Sequence, residues 1–256
     1  MRGESRVMLR PRQQERRSGP FQKEEAVRRG YDQPLLWAVH AGITDQPLSG
    51  SGALSVEKII YHANYRPREM HYNIALVKIK LPLSFNDQVA PICLPSYGES
   101  FEDGQMCLIS GWGATVDGGE ASVSIHTARV PLLSSRVCCG LGLTPWNICA
   151  GFSEGGAGTC QVQHLCIIIT KSYNSHYSNS QSLVEPLVFC LQGDNGGPLA
   201  CQGSGWTLVG AASWAESCGQ KNKPGIYTST KRRATATLSI SWWMSFCWTA
   251  CTYFQT

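Results

Sequence analysis

The stretch Gly193-Asp194-Asn195-Gly196-Gly197-Pro198-Leu199 holds the residues with the most chemistry in the chain: a carboxylate and an amide inside a glycine-rich loop. A nucleophile works when a neighbouring imidazole takes its hydroxyl or thiol proton during attack on a carbonyl. Asn195 has no such proton to give. Its nitrogen lone pair is delocalised into the amide carbonyl, so residue 195 cannot form an acyl intermediate. The bases are scattered: His40, His62, His71, His126, His164 and His176 lie in unrelated contexts, and each reads as a surface or loop histidine. Cys160-x3-His164-x-Cys166 carries metal-ligating atoms, but its spacing fits no usual zinc pattern, so neither a metal nor a cofactor is expected.

Other motifs give this loop a context. Asn73-Ile74-Ala75-Leu76, Pro91-Ile92-Cys93-Leu94-Pro95, Cys107 followed by Ser110-Gly111-Trp112-Gly113, Asn147-Ile148-Cys149-Ala150-Gly151 and Lys223-Pro224-Gly225-Ile226-Tyr227 occur in one order along the chain. Several motifs in register are a specific signal, where a single glycine-rich loop is weak. Together they resemble the trypsin-like serine endopeptidases, most closely the protease domains of type II transmembrane serine proteases. The likeness covers residues 34–161 and 193–230. It implies an all-β fold, the chymotrypsin-type double β-barrel, with the N-terminal barrel truncated because too few residues match for two complete barrels.

The resemblance also assigns roles, and the residues depart from them. Asn195 falls on the serine nucleophile and Asn73 on the aspartate that orients the histidine. An amide at the aspartate place cannot stabilise an imidazolium, and in active members that exchange lowers kcat about 10⁴-fold. The histidine itself is carried by the family in an Ala-Ala-His-Cys segment upstream of the position of Trp37, and that segment is absent here. All three triad roles are therefore expected to be vacant and the chain catalytically inactive, with a pseudoprotease that binds peptides, inhibitors or a protease partner, or a membrane-associated interaction protein, as the alternatives.

The backbone N–H groups of Gly193 and Asn195 match the oxyanion hole. Asp194 matches the carboxylate that pairs with a new N-terminal amine after activation cleavage. No Ile-Val-Gly-Gly type terminus is found, so the hole is expected to be collapsed. In the specificity pocket Gly158 stands where members that prefer Arg or Lys have an aspartate. Ser213-Trp214-Ala215 matches the substrate-pairing strand, and Gly225 the pocket wall. Without the carboxylate a basic side chain loses its charge partner, so a neutral or apolar one is favoured.

Twelve cysteines suggest an oxidising compartment. By resemblance Cys107 pairs with Cys201, Cys138 (or its neighbour Cys139) with Cys149, and Cys160 with Cys218. Cys93 occupies the place that ties such domains to an upstream stem, and is expected to be unpaired. Cys166, Cys190, Cys247 and Cys251 have no family counterpart. The resemblance implies an extracellular or membrane-tethered protein with a polypeptide substrate or inhibitor as partner.

The elements that must position these residues are short. Residues 35–39, 56–61, 74–79 and 107–109 read as strands between Gly, Pro and Asn turns, and no segment shows a long amphipathic helical period. Residues 1–33 hold nine Arg/Lys against five Asp/Glu, which accounts for the net charge of +4. They read as a disordered basic segment with no secretory signal. The body has no basic stripe interleaved with aromatics, so nucleic acid is excluded as a partner. Residues 162–192 interrupt the family pattern as a Ser-, Asn- and Tyr-rich insert, consistent with a flexible loop or with translated intron in a decaying or misassembled gene. Residues 231–256 form a tail unlike the family. Its uncharged run 234–254 approaches the ~20 residues that cross a bilayer, but seven of its 21 residues are Ser or Thr. An altered-frame tail is preferred to a membrane anchor.

Overall fold

The computed structural model describes residues 7–11, 33–46, 52–65, 72–81, 83–96, 98–114, 119–139, 143–156, 158–160, 190–192, 195–215 and 220–231. Their organisation is almost entirely β, in two sheets with a short two-stranded ribbon.

The first sheet has four antiparallel strands in the order β1 (Val7–Pro11), β2 (Trp37–Ala41), β3 (Leu54–Tyr61) and β4 (Ala75–Ile79). A 3-10 turn at Pro34–Leu36 precedes β2, so Leu35 and Leu36, read from the sequence as strand, belong to the turn instead. Proline supplies the fixed φ that opens such a turn. In β3 the two inward residues are Val56 and Ile59, three apart rather than two. A register shift between Val56 and Lys58 explains the spacing, because one extra residue flips the alternation. Glu57 and Lys58 are left in solvent. Trp37, Val39, Val56, Ile59 and Ala75 form the core of this curled half-barrel.

β1 is a finding the composition of residues 1–33 concealed. That segment, read as disordered, contributes an edge strand whose Val7 stands opposite Ala41 and Pro11 opposite Trp37. Tertiary pairing outweighs the high charge there, since β2 offers a row of backbone donors and acceptors.

The second sheet runs β6 (His126–Pro131), β5 (Met106–Gly111), β10 (Pro198–Gln202), β11 (Trp206–Trp214), β12 (Gly225–Ser229) and β7 (Asn147–Ala150). Its two ends meet. Leu132 bridges Ala150, and the Leu133 N–H donates to the Cys149 carbonyl at 3.0 Å. Closure leaves no open edge. Ile109, Val130, Leu199, Val209 and Tyr227 fill the interior. The one described helix, α1 (Ser135–Cys139), packs beside β7. The remaining ribbon pairs β8 (Gly158–Cys160) with β9 (Cys190–Gln192) in parallel, so the end of the 162–192 insert is a strand rather than loop.

Two expected disulfides are present. Cys107–Cys201 joins directly opposed residues of β5 and β10, with Cα atoms 4.3 Å apart. Cys138–Cys149 ties α1 to β7, which settles the choice between Cys138 and Cys139. Cys93 was expected to be unpaired, but it is disulfide-bonded. The expected Cys160–Cys218 bond lies outside the described residues.

Candidate functional site

The seam between the half-barrel and the closed barrel is organised around Asn73. Strand β11 carries the first contact. Its register against β12 shifts between Ala212 and Trp214, at Ser213. Such bulges re-aim a side chain. The Asn73 Nδ2 donates to Ser213 Oγ across 3.1 Å, and both residues are buried. Strand β12 carries the second contact: the Thr228 hydroxyl donates to the Asn73 backbone carbonyl at 2.9 Å. Two neighbouring strands of the closed barrel thus hold position 73 in place.

The third feature is an omission. The Asn73 Oδ1 is buried and has no hydrogen-bond donor among the described residues. A buried carbonyl oxygen without a donor costs about 1–3 kcal/mol, so such groups are rare. An imidazole N–H would satisfy it. None of the described histidines does so.

His40, read as a surface or loop histidine, lies buried on β2 at 4% exposure, whereas His62 is in the loop after β3 and is buried there at 2%. The His62 Nδ1 accepts the Asn64 N–H at 3.1 Å. Its ring stacks on Tyr72 with centroids 4.6 Å apart, and Tyr72 in turn leans on Trp146 at 5.8 Å. Tyr72 has φ +51, uncommon for a bulky residue, and its position immediately before Asn73 makes this stack a wall of the seam. The sequence offered no signal for the stack, because Tyr72 and Trp146 come from different barrels. His126 is half-buried and shares a hydrogen bond with Ser122 Oγ at 2.9 Å. His71, His164 and His176 lie outside the described residues.

The glycine-rich loop approaches the same strand. Gly196 N–H donates to the Ala212 carbonyl, and Ala212 N–H donates to the Gly197 carbonyl, both at 2.8 Å. Gly196 has φ +84, which a side chain would resist. This pairing sets Asn195, half-buried, beside the segment that carries Ser213. Asn73, Ser213 and the 195–197 turn therefore converge on β11. Gly193 and Asp194 lie outside the described residues, and so does any oxyanion hole they would form.

Of the pocket residues, Ser213, Ala215 and Gly225 are buried and Trp214 is half-buried. Trp214 stands opposite Ile226 on β12, next to Gly225. Gly158 heads β8, which contacts both β11 and β12.

A family model described as Trypsin matches residues 36–162 and 171–236. The chain belongs to the trypsin family. This family architecture is that of serine-type hydrolases acting on polypeptides, and a disulfide-bonded trypsin domain is typical of secreted or extracellular proteins. The family match resumes at residue 171, inside the 162–192 block, and runs past residue 230 into the tail. In this trypsin homologue a half-barrel and a closed barrel meet at a seam where Asn73 is bonded by the hydroxyl-bearing residues Ser213 and Thr228. Among the described residues no helix is long and apolar enough to cross a membrane, and no three His, Cys, Asp or Glu side chains cluster as metal ligands. The 234–254 run and the Cys160-x3-His164-x-Cys166 pattern fall outside the described side chains.

Proposed function

We propose that this trypsin homologue is a pseudoprotease: it binds extended polypeptide along the remnant cleft and does not hydrolyse it. The motif set resembles type II transmembrane serine proteases, which supports an origin among extracellular endopeptidases. The observation that carries the reading is Asn73, whose buried Oδ1 has no donor while its Nδ2 is committed to Ser213. A working triad needs a carboxylate at this place to hold an imidazole in its correct tautomer and to stabilise the imidazolium that forms. Asn73 has no charge to offer, and Asn195 has no proton to surrender. The two changes act on different steps, orientation of the base and attack by the nucleophile, so either one suppresses turnover.

Peptide binding draws on what remains. The segment Ser213-Trp214-Ala215 supplies backbone groups that pair with an extended chain, in the manner of strand addition. Gly158 leaves the pocket without a carboxylate, so the preferred side chain is neutral or apolar.

Purified chain challenged with a fluorophosphonate probe and with peptide esters tests both halves. The expected outcome is no labelling and no turnover above background, with saturable binding of an apolar peptide aldehyde or of a polypeptide protease inhibitor. Stoichiometric labelling would overturn the reading, and so would a folded chain that binds none of these ligands.

A further inference from the structure

Asn195-Gly196 is the one Asn-Gly step in the chain. Such a step can react with itself. The backbone nitrogen of the second residue attacks the asparagine side-chain carbonyl carbon and loses its proton. The amide nitrogen leaves as ammonia, and a cyclic succinimide remains. Water then opens the ring at one carbonyl or the other, giving aspartate or isoaspartate. Glycine in second place favours the closure, because no Cβ crowds the attacking nitrogen and the backbone turns freely. Every other asparagine here precedes a residue with a Cβ: Ile after Asn73 and Asn147, Ser after Asn174 and Asn179, and Tyr, Asp and Lys after Asn64, Asn86 and Asn222.

The fold stands against that chemistry. The Gly196 N–H, whose nitrogen would attack, donates to the Ala212 carbonyl at 2.8 Å, and the Ala212 N–H donates to the Gly197 carbonyl at 2.8 Å. While a carbonyl oxygen holds the Gly196 proton, its lone pair disfavours the amide anion that closes the ring. Ring closure also needs rotation about the Asn195 Cα–C bond, which would carry Gly196 off β11. The anchor does not yield: Ala212 is buried on β11, between β10 and β12. The turn itself is less secure. Residues 195–198 are only half-buried, and Pro198 at the start of β10 has no N–H to add to the ladder. Segments of this kind open locally at a lower free energy than the whole barrel.

We propose that Asn195 is a latent deamidation site, closed by the Gly196–Ala212 hydrogen bond and uncovered when the 195–197 turn lifts from β11. The same glycine serves both ends of this arrangement: its φ of +84 suits the turn, and its missing side chain quickens the reaction once the turn is open. Either product changes the loop. Aspartate brings a negative charge to a half-buried place beside the segment that carries Ser213. Isoaspartate routes the backbone through the side-chain carbon, so Gly196 and Gly197 cannot both regain Ala212. The modification is independent of the peptide-binding reading, since it is read as a change of mass whether or not the cleft binds a ligand.

The test incubates the full disulfide-bonded chain at mildly alkaline pH, folded in buffer and unfolded in guanidinium chloride. Timed samples are reduced, alkylated and digested with trypsin and a Glu-specific protease. Glu185 precedes a proline and resists cleavage, so the product is peptide 172–216, which holds Asn174, Asn179 and Asn195. Fragmentation then shows which amide is lost, and isoaspartyl methyltransferase detects the isoaspartate. In the unfolded chain Asn195 should convert first, ahead of the two Asn-Ser steps. In the folded chain its conversion should be slower by about tenfold or more, because only the open fraction reacts. Asn195→Gln, which would need a larger ring, should remove the signal from this position. A folded rate within about tenfold of the unfolded one overturns the proposal. So does an unfolded chain in which another asparagine converts before Asn195, or in which Asn195 does not convert.

Discussion

Asn73 and Ser213 stand 140 residues apart in sequence and meet at the seam of the two barrels, where Nδ2 donates to Oγ across 3.1 Å. The amide has two polar ends and only one of them is served. Turning it over would let the Ser213 hydroxyl donate to Oδ1, but would then strand Nδ2. One buried polar atom is left over in either orientation. An imidazole N–H or any other donor placed beside Asn73 would serve that oxygen; none of the described histidines does so.

Asn73→Asp should destabilise the fold in a pH-dependent way. The new carboxyl would be buried with one hydroxyl as its described donor and no cation, so desolvation raises its folded-state pKa above the unfolded value of about 3.9. The sign follows. Below about pH 4 the group is neutral in both states and the variant matches the native chain. As pH climbs through the raised folded value, stability is lost. A rise of two units corresponds to about 3 kcal/mol at pH 7. Urea midpoints of the two proteins between pH 3.5 and 7.5 check this, and a constant difference across that range would refute it.

Asn195→Ser should not create an enzyme. It restores a hydroxyl with no base to take its proton and no carboxylate behind the base. Peptide-ester hydrolysis by Asn195→Ser, and by Asn73→Asp with Asn195→Ser, should remain at background. Turnover saturating with substrate in either variant would mean that another group serves as base, with His62 the first to examine because Tyr72 alone separates its stack from Asn73.

Gly210→Ala tests the packing of β11 on β12. A methyl built there meets Tyr227 Cβ at 2.9 Å and the Thr228 carbonyl at 3.3 Å, closer than a side chain tolerates against backbone. The strand pair must move apart. A loss of about 1–3 kcal/mol is expected from such overpacking, measured as a lower urea midpoint. Because Thr228 also bonds Asn73, the peptide binding proposed for the cleft should weaken in the same variant.

The two described disulfides should differ in worth. Cys107–Cys201 closes a separation of 94 residues and Cys138–Cys149 one of 11. On chain entropy alone the longer loop contributes about 2 kcal/mol more. Comparing the Cys107→Ala/Cys201→Ala and Cys138→Ala/Cys149→Ala double variants by denaturant unfolding checks the order. Equal losses would show that native-state packing, rather than loop length, sets the value.

Much of this site was legible before any coordinates. The motif order gave Asn73, Asn195, Ser213 and two correct disulfides, because these residues occupy fixed places in short sequence signatures. What escaped was set by contacts between distant segments. His40 read as a surface or loop residue because polarity alone suggests exposure, whereas it is buried on β2. Cys93 looked unpaired because its family partner lies upstream, yet it is disulfide-bonded. The strand at Val7–Pro11 was hidden by its charge, since backbone pairing to β2 does not depend on an apolar pattern.

By itself, the sequence determined the family and the all-β class, because side-chain chemistry and motif spacing are written locally. Only the tertiary structure decided which of the singled-out residues meet. Hydrogen bonds at positions 73, 213 and 228 join residues 140 and 155 apart, and burial is a property of the whole barrel rather than of any segment. It is the seam that buries the Asn73 oxygen without a donor among the described residues, a fact that no single segment could show.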